Sequence, residues 1–325
     1  MDLHSGCCPL GTEATEASLR HRALKERVDQ VHRASALRVR CGVAPLPARL
    51  PEGPLLSSAA KHELQHQGIV EQLRGSGLLS PELTFVDFGA GDGGLCRCVA
   101  CAAGGGRYVL VDRSRRPTMA AADAHEVSWL RADVSELLAP ELQRAARGEC
   151  VVVSNHLCGG ALDLAVGRSL EGFHLSTPAR LRGVMAATCC HDQCRWESFL
   201  GQRAFTEWGF SASDFGEICR WSRMAPRRGK PDHARERVVR EAERLGISPT
   251  AAAQLGLHCR HLIDTARLLH LQRQGFEVAL VEHVDFRVTA DNVMLCAVRR
   301  TLPYSNLNLA SHLPHGDHGD SPASK

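Results

Sequence analysis

Lysine is almost absent from this chain: Lys25, Lys61, Lys230 and Lys325 are the only four, so nearly all of the 39 basic side chains facing 36 acidic ones are arginine. Arginine suits bidentate phosphate contacts, although the abundance of Ala, Arg and Gly together also fits a compositional bias. A net charge of +3 is too small to imply nucleic-acid or membrane binding, and any such partner must be argued from local patches. No apolar run approaches the roughly 18 residues of a membrane span, no charged-then-apolar leader is visible, and there is no internal repeat. What remains is a globular composition, 44% hydrophobic and 23% charged over 325 residues. It excludes disorder as the default and allows about two domains or one elaborated domain. Cysteine, by contrast, is plentiful, with 14 residues. Many fall inside predicted strands and helices, so a reduced compartment, cytoplasmic or nuclear, is expected rather than a disulfide framework.

Residues 1–12 read as unstructured and Glu16 to Leu37 as a helix. The Pro-rich stretch Val43 to Pro54 reads as a boundary, and Ser58 to Gly75 as a second helix. Short apolar strands alternating with helical segments follow: Thr84 to Phe88, Arg107 to Val111, Val127 to Leu130, Cys150 to Ser154 and Leu181 to Thr188. That alternation predicts a parallel, doubly wound sheet. Arg195 to Arg273 reads as a helical insertion. Two last strands, Phe276 to His283 and Asn292 to Val298, are joined by a loop too short for a crossover helix and should pair antiparallel. The layout is that of an α/β, class I (Rossmann-like) methyltransferase. The expected organisation is an N-terminal extension over 1–57, a methyltransferase domain over 58–300 with an insertion at about 195–273, and a disordered tail over 301–325.

Phe85-Val-Asp-Phe-Gly-Ala-Gly-Asp-Gly-Gly-Leu95 is a strand, a Gly-rich turn and a helix start. Gly89, Gly91 and Gly94 also satisfy the dinucleotide fingerprint, so a nicotinamide or flavin cofactor stays open. Asp87 inside the strand, Asp112 ending the next strand and Asp133 after the third favour S-adenosylmethionine, with Gly89, Gly91 and Gly93 shaping the turn. In an open sheet of this kind, chemistry gathers at the carboxyl ends of the strands. There stand Ser154-Asn-His-Leu-Cys-Gly-Gly160 and Ala187-Thr-Cys-Cys-His-Asp-Gln-Cys-Arg-Trp196. Asn155, His156, Cys158 and His191 are the catalytic candidates, with either histidine a possible acceptor of a substrate hydroxyl proton. Zinc at Cys189, Cys190, His191 and Cys194 is weighed and set lower, because no second paired-ligand motif accompanies it; no metal is expected. Cys98, Cys150 and Cys296 read as core residues.

At these strings the sequence resembles the eukaryotic tRNA:m(4)X modification enzymes. The resemblance is carried by Lys61-His-Glu-Leu-Gln65, Phe88-Gly-Ala-Gly-Asp-Gly93, Leu110-Val-Asp-Arg113, Asn155-His-Leu-Cys-Gly159 with Ala161-Leu-Asp-Leu164, Cys189-Cys-His191 with Cys194 and Trp196, and Cys259-Arg-His-Leu-Ile-Asp264 with Arg267. It implies methyl transfer from S-adenosylmethionine to a ribose 2′-hydroxyl at position 4 of the tRNA acceptor stem. Asn155 stands where the family usually has Lys, Asp192 where it usually has His, and the family's N-terminal zinc modules find no matching ligands before Ala44.

A tRNA acceptor stem is A-form duplex, read through phosphates, 2′-hydroxyls and shape. The densest basic run is in the insertion, Arg220 to Arg237. Arg223, Arg227, Arg228 and Lys230 from it, with Arg260 and Arg267 from a later helical segment, are the expected RNA contacts. The same residues also fit a solvated helix face with ordinary i, i+3 and i, i+4 pairs. Two other readings remain beside the tRNA methyltransferase: a catalytically impaired RNA-binding member of the same fold, and a methyltransferase acting on a protein or small molecule. No membrane partner is expected.

Overall fold

A computed structural model describes residues 10–35, 37–41, 57–114, 126–173, 179–226 and 232–299. The Pro-rich stretch after Val43 and the tail over 301–325 lie outside them, as do Arg227, Arg228 and Lys230. Eight strands form one sheet: β1 Val39–Cys41, β2 Thr84–Phe88, β3 Arg107–Asp112, β4 Glu126–Arg131, β5 Gly148–Ser154, β6 Ala179–Ala187, β7 Glu277–Glu282 and β8 Val293–Val298. Their order is β1-β7-β8-β6-β5-β2-β3-β4. β8 runs antiparallel to β6 and β7, and the other pairings are parallel. This is the class I methyltransferase arrangement anticipated from the alternation of elements.

The central strands are apolar on both faces because helices cover both. Phe85, Tyr108, Leu110, Val151 and Val153 face α2 (Ser58–Gly75) and α3 (Gly94–Ala103), packing with Ile69, Leu73 and Val99. Their sequence neighbours Val86, Phe88, Val109, Val111 and Val152 point the other way, into a second cluster. That cluster holds Leu142 of α4 (Ala139–Ala145), Leu162 and Val166 of α5 (Gly160–Gly172), and Leu268 and Leu271 of α9 (Pro249–Arg273). Each fully buried Val, Leu or Phe contributes about 1.5–3 kcal/mol of transfer free energy, so the strands carrying the site rest on the best-buried part of the molecule.

Between β6 and β7 lie α6 (Gln202–Glu207), α7 (Ala212–Trp221) and α8 (Asp232–Leu245), followed by α9. They enclose a third cluster in which Phe199, Phe205, Phe215, Ile218 and Trp221 pack with Leu255, Leu262 and Ile263 of α9. Ser248 caps α9 by accepting from Ala251 N at 3.2 Å, and Pro249 opens it. α9 is buried at both ends of its length, against the insertion first and the sheet later.

The N-terminal region differs from the sequence reading. α1 spans Leu10–Ala34, beginning inside the stretch expected to be unstructured, and Leu24 and Val28 are buried in the third cluster. β1, which three residues cannot signal by periodicity, pairs with β7 through Val39 and Leu280. Among the described residues no helix is long and apolar enough to cross a membrane.

Candidate active site

β2 pairs with β3 on one side and β5 on the other, so the helices that follow β2 and β5 leave on opposite faces and a crevice opens between their carboxyl ends. A cavity of about 450 Å³ lies there, lined by Gly89, Asp112, Arg113, Asp133, His156, Leu157, Cys158 and Gln193, among others. A second, of about 650 Å³, adjoins it through Asp133, Cys158 and Gln193 and is rimmed by Asp192 and Arg195.

The turn after β2 needs its glycines. Gly91 has φ +54 and Gly93 φ +79, a region costly for other L-residues. A Cβ on Gly91 would meet nothing within 4 Å, so the constraint there is backbone conformation. Asp112 Oδ2 accepts from Gly91 N at 2.9 Å and Oδ1 from Ser114 N at 2.7 Å. Burial pushes the Asp112 carboxyl up, but these hydrogen bonds outweigh it and hold the group below the usual carboxylate range. Asp92 Oδ1 accepts from Gly94 N at 3.0 Å. Two N–H groups that a dinucleotide pyrophosphate would use are thus already bonded to carboxylates. Asp133, whose Oδ1 accepts from Ser135 N at 2.9 Å and Ser135 Oγ at 2.7 Å, is held low by those bonds. Gly89, Asp112 and Asp133 therefore line the cavity. Asp87 does not: it is 1% exposed, accepts from Cys96 Sγ at 3.5 Å, and burial raises its carboxyl to about 7.

At the ends of β5 and β6 the backbone is strained. His156 has φ +67 and Cys190 φ +47, each costing of order 1–3 kcal/mol. His156 Nε2 lies 2.9 Å from Oε1 of Gln65 on α2, and Gln65 is buried. An amide oxygen only accepts, so Nε2 carries the proton and Nδ1 keeps its lone pair. Burial, then the nearby His62, lowers the His156 pKa, leaving the ring neutral at neutral pH. Asn155 is buried, and its Oδ1 has no hydrogen-bond partner among the described residues. Gln65 and His62 stand in the Lys61-to-Gln65 string but were not singled out as site residues; the signal was a glutamine on a helix far from β5 in sequence.

Besides Asp87, three of the expected site residues are elsewhere: His191, Arg260 and Arg267. His191 is 3% exposed, and its Nε2 lies 2.8 Å from Asp264 Oδ2; it lines neither cavity. Arg267, expected to contact RNA, is 1% exposed. Its guanidinium donates to Asp163 Oδ1 and Oδ2 at 3.0 and 2.6 Å, to Asp264 Oδ1 at 3.0 Å, to Gly159 O at 3.1 Å and to Cys194 Sγ at 3.0 Å. With its donors so engaged, this arginine ties α5, α9 and the loop after β6 together and has no face for a phosphate. Arg260 is similarly internal, donating to Ser222 O at 3.2 Å and Asp291 Oδ1 at 3.0 Å. Arg223 is exposed and donates to Asp192 Oδ2 at 2.8 Å, at the rim of the second cavity. Arg113 and Arg195, both exposed and lining the cavities, were not anticipated; only the fold reveals their place at the rim.

The four residues weighed for zinc do not converge, because His191 and Cys194 are engaged by Asp264 and Arg267. Cys158 instead joins Cys189 and Cys190. Hydrogen bonds with Cys158 and Cys190 and burial push the Cys189 thiol up.

Residues 64–298 match the family described as Methyltransferase TRM13. The chain is 26% identical over 272 residues to the tRNA:m(4)X modification enzyme TRM13 of Schizosaccharomyces pombe, covering 78% of this chain and 71% of that protein. It is 24% identical over 314 residues to the human tRNA:m(4)X modification enzyme TRM13 homolog, covering 74% and 65%. The chain thus spans about two thirds of the length of these relatives. Among solved structures, the crystal structure of 23S rRNA methyltransferase ErmE aligns at 14% identity with a TM-score of 0.34, covering 77% of this chain and 71% of that one.

Proposed function

The chain belongs to the Methyltransferase TRM13 family, and from that premise we propose that it transfers methyl from S-adenosylmethionine to a ribose 2′-hydroxyl of a tRNA acceptor stem, at position 4. The observation that carries the reading is that Asp112, Asp133 and His156 line one cavity, two of them suited to a nucleoside and the third to a hydroxyl proton.

The cavity fits the cofactor by its size, within the usual range of about 300–1,000 Å³ for small-molecule sites, and by its donor set. Its carboxylates complement ribose hydroxyls, an exocyclic amine and a cationic centre. Because carboxylates already occupy Gly91 N and Gly94 N, the same turn is poorly disposed to a pyrophosphate, which favours S-adenosylmethionine over a nicotinamide or flavin. When bound, S-adenosylmethionine supplies a methyl group on a sulfonium. Asp112 would hold the ribose hydroxyls and Asp133 the adenine amino group, while Gly89 lets the backbone approach closely. His156, neutral and with Nδ1 unprotonated, would accept the proton of the RNA 2′-hydroxyl as its oxygen becomes nucleophilic. Asn155 Oδ1 offers an acceptor to a donor brought by the ligands. Cys158 lines the same wall.

Arg113, Arg195 and Arg223 at the rim would take the phosphates of the stem, joined by Arg227, Arg228 and Lys230. Arg260 and Arg267 act from inside, as positioning residues. The test is transfer of labelled methyl from S-adenosylmethionine to unmodified tRNA by the purified chain. Label made resistant to protease but sensitive to ribonuclease supports the reading. Label that survives ribonuclease would favour a protein or small-molecule acceptor, and salt-sensitive tRNA binding without turnover would favour an impaired RNA-binding member.

A further inference from the structure

The sulfurs of Cys158, Cys189 and Cys190 lie within 4.8 Å of one another, with Cys158 Sγ and Cys189 Sγ 3.2 Å apart. That distance is far beyond a disulfide bond of about 2.05 Å. A tetrahedral zinc with Zn–S bonds of about 2.3 Å holds its thiolates about 3.8 Å apart, inside the observed range. Cys158 follows β5 and the other two follow β6, so the convergence is made by the fold and not by sequence adjacency.

Two loops pressed backbone to backbone produce it. Gly159 N donates to Cys189 O at 3.3 Å, and a Cβ on Gly159 would stand 2.6 Å from Gln193 Cβ and 3.0 Å from Cys190 O. No larger residue fits there without moving the cysteines apart. Cys190 adopts φ +47, which glycine would take at no steric cost. The backbone alone therefore does not account for a side chain at this position. Burial as a small apolar group explains Cys189, at 5% exposure. It does not explain Cys158 and Cys190, which are only half-buried, nor why Cys158 faces both cavities.

We propose that Cys158, Cys189 and Cys190 form a three-thiolate site for a thiophilic divalent cation, with zinc the best chemical match and the fourth coordination position open toward the cavity. Binding would release the thiol protons to solvent and join three thiolates to one cation. The site is independent of which acceptor is methylated.

The experiment is metal analysis of the purified full chain after dialysis against a weak chelator, alongside Cys158→Ser, Cys190→Ser and a Cys101→Ser control at an exposed helix position. The expected result is about one zinc per chain, kept in the control and lost in the two site variants. Cobalt exchanged into the wild-type chain should show thiolate-to-metal charge transfer, and this decides the matter if a site variant fails to fold. No bound metal, an unchanged metal content in both site variants, or a cobalt complex without thiolate charge transfer would overturn the proposal.

Discussion

Arg267 grips both carboxylate oxygens of Asp163 through Nε and Nη2, at 3.0 and 2.6 Å, and both side chains are essentially without solvent exposure. The pair joins the helix after β5 to the long helix that ends the insertion, and Asp264 extends it to His191. Burial pushes the Asp264 carboxyl up, but its contacts with His191, Arg267 and Thr188 more than offset this and hold it low. Removing one partner from a buried pair leaves the other charge uncompensated.

Arg267→Leu should therefore destabilise the fold by about 3–5 kcal/mol, read by urea unfolding. Arg267→Lys should also fail to restore wild-type stability, because one ammonium cannot span two carboxylates and a carbonyl. A change under about 0.5 kcal/mol, typical of an exposed site, would contradict a structural role.

Asp112→Ala should weaken S-adenosylmethionine binding at least tenfold, the scale of a lost hydrogen bond to a charged group at about 1.5–3 kcal/mol. Equilibrium dialysis measures it. Unchanged affinity would place the cofactor elsewhere.

His156→Ala should lower kcat by about 10²- to 10⁴-fold with little change in cofactor affinity. Because burial and His62 depress the His156 pKa, the wild-type rate should fall only at a pH below that at which an ordinary histidine takes up its proton. Gln65→Leu removes the acceptor that fixes the tautomer and should alter the pH profile. A profile identical in wild type and His156→Ala would exclude this histidine as the base.

His283 is 1% exposed, donates from Nδ1 to Asn292 O at 2.7 Å, and burial lowers its pKa to about 4. Between pH 4 and 6.5 the unfolded chain binds a proton there that the folded chain does not, so stability rises with pH across that window and is flat above it. The slope expected from this group is up to about 1.4 kcal/mol per pH unit. Urea midpoints at stepped pH check it, and His283→Gln should flatten the slope.

Arg113→Ala and Arg195→Ala should each reduce the slope of log affinity for tRNA against log salt by about one, the signature of a lost phosphate contact. Slopes equal to wild type would remove the rim from the RNA interface.

Much of this was legible in the sequence because its signals are local. The runs Thr84 to Phe88 and Arg107 to Val111 could only be buried strands, and acids placed at strand ends, Asp112 and Asp133, reach the cavity through strand geometry alone. The unread parts depend on distant partners. Arg260 and Arg267, spaced along one helix, suggest an open polar face, but the partners that bury Arg267 include Asp163, 104 residues away. Gln65 meets His156 across 91 residues, and Cys158 meets Cys189 across 31. Such pairings arise from the order of strands in the sheet, which residue spacing does not encode.

The most direct measurement is alkaline hydrolysis mapping of tRNA methylated by the purified chain. The account predicts one linkage resistant to alkali, at position 4 of the acceptor stem, since a 2′-O-methyl group removes the nucleophile that cleaves the chain. A uniform cleavage ladder with the methyl group recovered on a base would contradict it.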